Sequence, residues 1–144
     1  MILFRWLVFA VAVASISFPQ AATADEYSGR VVKVIDGDDL LVRVGTRDID
    51  FRFCGIDAPE KSRPGYDKAN AALKELTLGK GVRCVQVGAG TPCDGRSKGK
   101  NRGRIVAQCF LGTLDIASWM VCHKHARDWP KYSNGYYGES TRCN

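Results

Sequence analysis

The 144-residue chain carries 21 Lys and Arg against 15 Asp and Glu, a formal net charge of +6, with 45% hydrophobic residues and six cysteines. That length supports one compact domain with a core of its own and excludes two. The basic balance points to polyanions, such as nucleic acid or an anionic cell surface, as partners.

The chain opens on MILFRWLVFAVAVASISFPQAATA, which does not read as part of a domain. One positive charge, Arg5, precedes an apolar run from Trp6 to Phe18, then Pro19 and the small residues Ala22, Thr23 and Ala24. This is the pattern of a signal peptide. The run is 13 residues long, short of the roughly 20 that a membrane anchor needs, so residues 1–24 are predicted to be cleaved. Residues 25–144 are then expected to form a single domain, secreted or periplasmic, with no membrane span and no stable protein partner, as a monomer. Without Arg5 this part keeps 20 basic against 15 acidic side chains. All six cysteines (Cys54, Cys84, Cys93, Cys109, Cys122 and Cys143) lie within it, and an even count in an exported chain favours disulfides. A zinc site at Cys122, His123 and His125 is set aside, because CHKH matches no standard pair-and-pair spacing.

RVVKVI and LLVRV are β-branched runs separated by Asp36, Gly37, Asp38 and Asp39, the composition of a hairpin turn. IDFRFCGI alternates as a third strand, which Pro59 closes. Between Tyr66 and Leu78, Ala69, Ala72, Leu73 and Leu76 share one helix face, with Gly79 placed for a left-handed cap. GVRCVQV and RIVAQCF read as two more strands joined by the long loop GAGTPCDGRSKGKNRG. Asp115 is placed to cap a second helix bearing Ile116, Trp119 and Met120 on one side. The order predicts an α+β fold, a small β-barrel with helices packed on it and its function in loops at one end.

Charges gather at two of those turns. Asp36 and Asp38 lie in the first, and Asp57 and Glu60 at the exit of the third strand. If both turns share one end of the barrel, four carboxylates converge, and their repulsion calls for a cation; taken alone, Asp36, Asp38 and Asp39 read more simply as residues that satisfy a turn. An all-oxygen set suits calcium or magnesium. Arg52, between Phe51 and Phe53, is expensive to hold in a strand unless it meets a fixed anion, and its planar fork suits phosphate. RSKGKNRGR, residues 96–104, adds a basic loop with Arg104 at its junction with a strand.

IDGDD, FRFCGIDAPE and RGRIVA, in that order around a helix, resemble the thermonuclease family, the staphylococcal nuclease-like proteins, over about residues 28–137. The resemblance implies a five-stranded barrel of the oligonucleotide-binding (OB) type with two helices and a truncated third. It also implies a calcium-dependent phosphodiesterase acting on DNA and RNA. Carried onto matching positions, it makes Asp38, Asp57 and the backbone carbonyl of Ala58 the calcium ligands, with Asp36 in an outer shell. Glu60 would activate the attacking water, and Arg52 and Arg104 would clamp the phosphate. Lys98, Lys100 and Arg102 are expected to contact substrate, and Tyr132, with Tyr136 and Tyr137, to stack on a base or sugar.

The sequence departs from the family's pattern at several points. Lys100 and Arg102 replace an acidic residue and an aromatic, Asp39 replaces a threonine and brings negative charge beside the metal, and Lys124 stands near a usual glycine, where positive φ costs about 1 kcal/mol. The chain also stops at Asn144, where the family generally continues into a third helix. Cys84 and Cys109, on the strands flanking the basic loop, are the first expected disulfide, and Cys122 with Cys143 the second. Two other classes compete: a catalytically impaired OB-fold module that only binds nucleic acid, and a disulfide-stapled envelope protein, which leaves Arg52, Asp57, Glu60 and Arg104 unexplained.

Overall fold

A computed structural model describes residues 25–138. The expected signal peptide, residues 1–24, and Cys143 lie outside the described residues. Strands β1 (Glu26–Asp36), β2 (Asp39–Val44), β3 (Arg47–Phe53) and the short β4 (Ile56–Asp57) lead to helix α1 (Tyr66–Thr77). Then come β5 (Gly81–Gln86), β6 (Lys100–Asn101), β7 (Arg104–Leu111), β8 (Leu114–Asp115), α2 (Ile116–Cys122), β9 (Arg127–Asp128) and the one-turn α3 (Pro130–Ser133).

β1 pairs antiparallel with β2 and β5, β2 with β3, and β5 with β7. β3 runs parallel to β7 through Phe51 opposite Ile105 and Phe53 opposite Ala107, and this closes a five-stranded barrel of the OB type. Register shifts along β1, between Val31 and Lys33 and between Val34 and Asp36, let one strand bend round to serve both neighbours. The period of two puts Leu40, Val42, Phe51 and Phe53 inside, where they meet Leu73 of α1 and Ile116 and Met120 of α2. Each such side chain contributes roughly 1.5–3 kcal/mol.

The helices follow their sequence signals. Ala69 and Leu73 are the buried stripe of α1, and Gly79 has φ +76° just beyond it. Asp115 caps α2, its Oδ1 accepting from the amides of Ala117 at 3.0 Å and Ser118 at 3.3 Å. Ile116 and Met120 are fully buried, while Trp119 is partly buried and stacks on His123 at 4.1 Å between ring centres.

Cys84 and Cys109 sit directly opposite each other on β5 and β7 and are disulfide-bonded inside the barrel, as expected. A second bridge, Cys54–Cys93, was not anticipated; it ties the exit of β3 to the loop that follows β5. Cys122 is not free, and its expected partner lies outside the described residues. No helix among the described residues is long and apolar enough to cross a membrane.

Two glycines fix the end of the barrel where the acidic turns lie. At Gly37, in the β1–β2 turn, a Cβ would come within 2.9 Å of the Cβ atoms of both Ala58 and Ala69. That turn therefore packs directly on the exit of β4 and on α1, which places the two acidic turns at the same end. Gly55, at φ +73°, lies against Ser133 of α3 and Cys93, where a Cβ would meet atoms at 2.8 and 3.0 Å.

Candidate functional site

Arg52 is the best-anchored cation at this end. Its Nη2 donates to the carbonyl of Ile56 at 2.8 Å and lies 3.1 Å from Asp38 Oδ2, and its Nη1 donates to the carbonyl of Phe53. The side chain is only 14% exposed. The turn between β3 and β4 thus supplies the carbonyls that orient the guanidinium, so its position is set by backbone rather than by flexible partners.

Asp38 Oδ2 also accepts from the amide of Ala58 at 2.7 Å. Burial pushes the Asp38 carboxyl above its usual range; Arg52 and the Ala58 amide pull it down, while Asp57 and Asp36 push it further up. Asp57 and Asp36 are therefore both close enough to Asp38 to act on it. The convergence is looser than the sequence suggested: among the described residues no three His, Cys, Asp or Glu side chains come together as a metal cluster. Asp57 Oδ2 is instead held by Arg127, with Nη2 at 2.8 Å and Nε at 3.1 Å. The pairing of β4 with β9 sets Arg127 opposite Asp57.

Arg104 donates from Nη1 to Asp39 Oδ2 at 2.7 Å. Asp39 was expected to bring negative charge beside the metal. It is in fact almost fully buried, and burial and the neighbouring Asp50 push its carboxyl upward against the pull of Arg104. Its carboxyl is paired with Arg104 rather than left free beside the acidic turns. Arg104 itself is only 25% exposed, so its attachment to the start of β7 fixes it as expected.

Two clefts flank these residues. One, of about 570 Å³, is lined by Asp57, Ala58 and the exposed Glu60, with Arg63, Lys124 and Arg127 among its cations. The other, of about 440 Å³, is lined by Arg52, Arg96, Lys98, Lys100, Trp129, Lys131 and Tyr132, among others. Lys98, Lys100 and Tyr132 are thus gathered beside Arg52. Arg102 is not among the residues lining that cleft: it is at the exposed tip of the β6–β7 hairpin with φ +52°. Tyr137 is buried against the core, so it does not belong to the cleft, and Tyr136 packs partly against the same core. Lys124 has φ +59°, the strained conformation its sequence context predicts.

Sequence reasoning missed Arg127, Asp50, Trp129 and Lys131, and took Arg96 only as part of the basic loop. Arg127 and Trp129 lie in the stretch ARDW that follows the second helix, where no periodic pattern marks a two-residue strand. The basic loop is more ordered than its composition suggested. Asp94 accepts from the amides of Gly88 at 2.7 Å and Gly90 at 2.8 Å and from Thr91 Oγ1 at 2.6 Å. Partial burial would raise this carboxyl, but those hydrogen bonds hold it below its usual range.

No family model matches the sequence. An uncharacterized endonuclease of Haemophilus influenzae is 38% identical over 116 residues, which cover 79% of this chain and 59% of that protein. A micrococcal nuclease of Shigella flexneri is 31% identical over 77 residues, 54% of this chain and 44% of that protein. The chain thus spans about half the length of these relatives.

Proposed function

This chain belongs to the thermonuclease family, the staphylococcal nuclease-like proteins, and from that premise we propose that it is an exported, monomeric nuclease that hydrolyses phosphodiester bonds in DNA and RNA with calcium as its metal. The observation that carries the proposal is Arg52, locked by two carbonyls and Asp38 at the meeting point of an acidic turn and a basic cleft. Its disulfides suit an oxidising compartment, in keeping with a cleaved leader at residues 1–24.

The residues fit a hard cation. Asp38 and Asp57 offer only oxygen, the donor type a hard cation takes, and the packing of Gly37 on Ala58 brings their two turns together. The carboxylates of Asp38 and Asp57 with the carbonyl of Ala58 would hold calcium, and Asp36 would stabilise water around it. When bound, calcium supplies Lewis-acid polarisation of a phosphate oxygen and a template for substrate.

The remaining steps belong to the chain's own side chains. Arg52 and Arg104 hold the phosphate's non-bridging oxygens, whose negative charge grows as water attacks, and preorganised cations stabilise that charge more than the ground state. Glu60, exposed in the cleft beside Asp57, orients the attacking water and accepts its proton. The new bond joins the water oxygen to phosphorus, and the ester bond breaks as the leaving sugar oxygen takes a proton from solvent and departs as a hydroxyl.

The test is digestion of single-stranded DNA, duplex DNA and RNA by the purified protein, with calcium or with a chelator. Cleavage that requires calcium is the expected result. No cleavage under either condition, with a salt-sensitive shift of DNA intact, would leave an OB-fold binding module in place of the nuclease.

A further inference from the structure

Helix α2 ends in a motif that calls for glycine. Beyond its cap, His123, the amide of Lys124 donates to the carbonyl of Val121 at 3.0 Å, and the amide of His125 to that of Met120 at 2.9 Å. This pair of bonds is the Schellman ending, which needs a left-handed residue after the cap, and Lys124 has φ +59°. Glycine takes that conformation freely, whereas a residue with a Cβ is strained in it. Lys124 lines the cleft of about 570 Å³ together with Asp57, Glu60, Arg63 and Arg127. Arg127 is bound to Asp57, but no carboxylate pairs with Lys124 or Arg63 among the described residues. The amide of Arg63 donates to the carbonyl of Glu60 at 2.9 Å, which fixes this second cation beside Glu60. The two clefts meet at Asp38: Arg52 lies 3.1 Å from its Oδ2, and Ala58, on the wall of the Lys124 cleft, donates its amide to the same oxygen at 2.7 Å.

We infer that Lys124, with Arg63, contacts a second phosphate of the substrate strand, in the cleft that Asp57 and Glu60 line, next to the phosphate held by Arg52. The inference deepens the nuclease reading and rests on it for the nature of the ligand. A backbone conformation that lowers stability, kept where glycine would relieve it and at the wall of a cleft, marks a side chain with a role other than folding. A strand repeats its phosphate at every nucleotide, so one phosphate at Arg52 carries its neighbour past Asp38 into the adjoining cleft. Lysine acts there as a point charge, which suits a phosphate that must be attracted but not oriented. The neighbouring phosphate does not change in charge as water attacks, so this contact strengthens binding without speeding the chemical step.

The test uses the purified protein and Lys124→Gly, which relieves the strain and removes the cation together, so that stability and binding are expected to move in opposite directions. Its melting temperature should rise by about 4 °C. In chelator, so that nothing is cut, it should bind oligothymidylate about fivefold more weakly, and the logarithmic slope of affinity against salt should become shallower by about 0.7. Lys124→Met keeps the strain and should weaken binding as much with no rise in melting temperature. Lys74→Gln, at an exposed lysine that lines neither cleft, should keep the wild-type salt slope. With calcium, Lys124→Gly should raise KM on single-stranded DNA about fivefold at unchanged kcat. It should cut a nitrophenyl ester of thymidine monophosphate, which carries one phosphate, as wild type does. A lower melting temperature or an unchanged salt slope in Lys124→Gly, or an equal loss on the one-phosphate ester, would overturn the inference. If wild type cuts nothing while the salt slopes keep this pattern, the nuclease reading fails and the phosphate contact stands.

Discussion

At the scale of single residues, the contact with most bearing on the proposed metal is that of Arg127 with Asp57. The Arg127 side chain is 82% exposed, and such surface pairs are worth about 0–1 kcal/mol. In the proposed site, calcium and Arg127 would nevertheless draw on the same carboxylate. Arg127→Ala is therefore expected to lower the calcium concentration giving half-maximal cleavage, by up to about fivefold; a rise would mean that Arg127 supports the site rather than competes for it. Arg52 was legible in the sequence because a guanidinium between two phenylalanines needs a stated partner. Arg127 was not, since its partner depends on a two-residue ladder between β4 and β9 that leaves no periodic trace. The setting of Asp39 was not legible for a related reason: its burial and its contacts with Arg104 and Asp50 come from the diagonal neighbours of the β2–β3 ladder and from β7, not from the turn it follows.

Among the elements, the loop between β5 and β6 does the most to shape the basic cleft. Cys93 bonds it to Cys54 at the end of the strand that carries Arg52, and Asp94 braces it from within. The bridge holds Arg96, Lys98 and Lys100 where they face Arg52 and Trp129 across the same cleft. Replacing both cysteines by serine is expected to lower stability by about 4 kcal/mol, from the loop of 39 residues that it closes. The same change should weaken DNA binding under conditions where the protein is still folded, as read by a gel shift beside a thermal melt. Unchanged binding by the folded variant would show that Asp94 and its partners suffice. The strands and both main helices could be read from alternation, helix spacing and the Asp115 cap, all local signals. The internal order of the loop could not, because glycines and a single aspartate form hydrogen bonds with no hydrophobic period, and six cysteines leave the pairing open.

For the molecule as a whole, the barrel brings together turns that are distant in sequence. The closure of β3 on β7 sets Arg52 near Arg104, and the contact of Gly37 with Ala58 and Ala69 sets the two acidic turns side by side. Five strands and their order were legible from pattern, and the OB-type closure from family resemblance; the parallel β3–β7 pairing leaves no mark in either strand alone. The basic excess, expected to favour polyanions, includes five cations that line the cleft beside Arg52, which no acidic residue lines among the described residues. That arrangement supports the proposed nucleic-acid substrate, with the proposed hydrolysis at its acidic edge.

The most direct test of that assignment is single-turnover cleavage of a single-stranded DNA at saturating calcium by wild type, Arg52→Ala and Glu60→Gln, each checked for an unchanged melting temperature. The account predicts that both variants lose about a hundredfold in rate, since Arg52 holds the phosphate and Glu60 serves the attacking water. Cleavage by both variants at the wild-type rate would contradict it and place the chemistry elsewhere on the barrel.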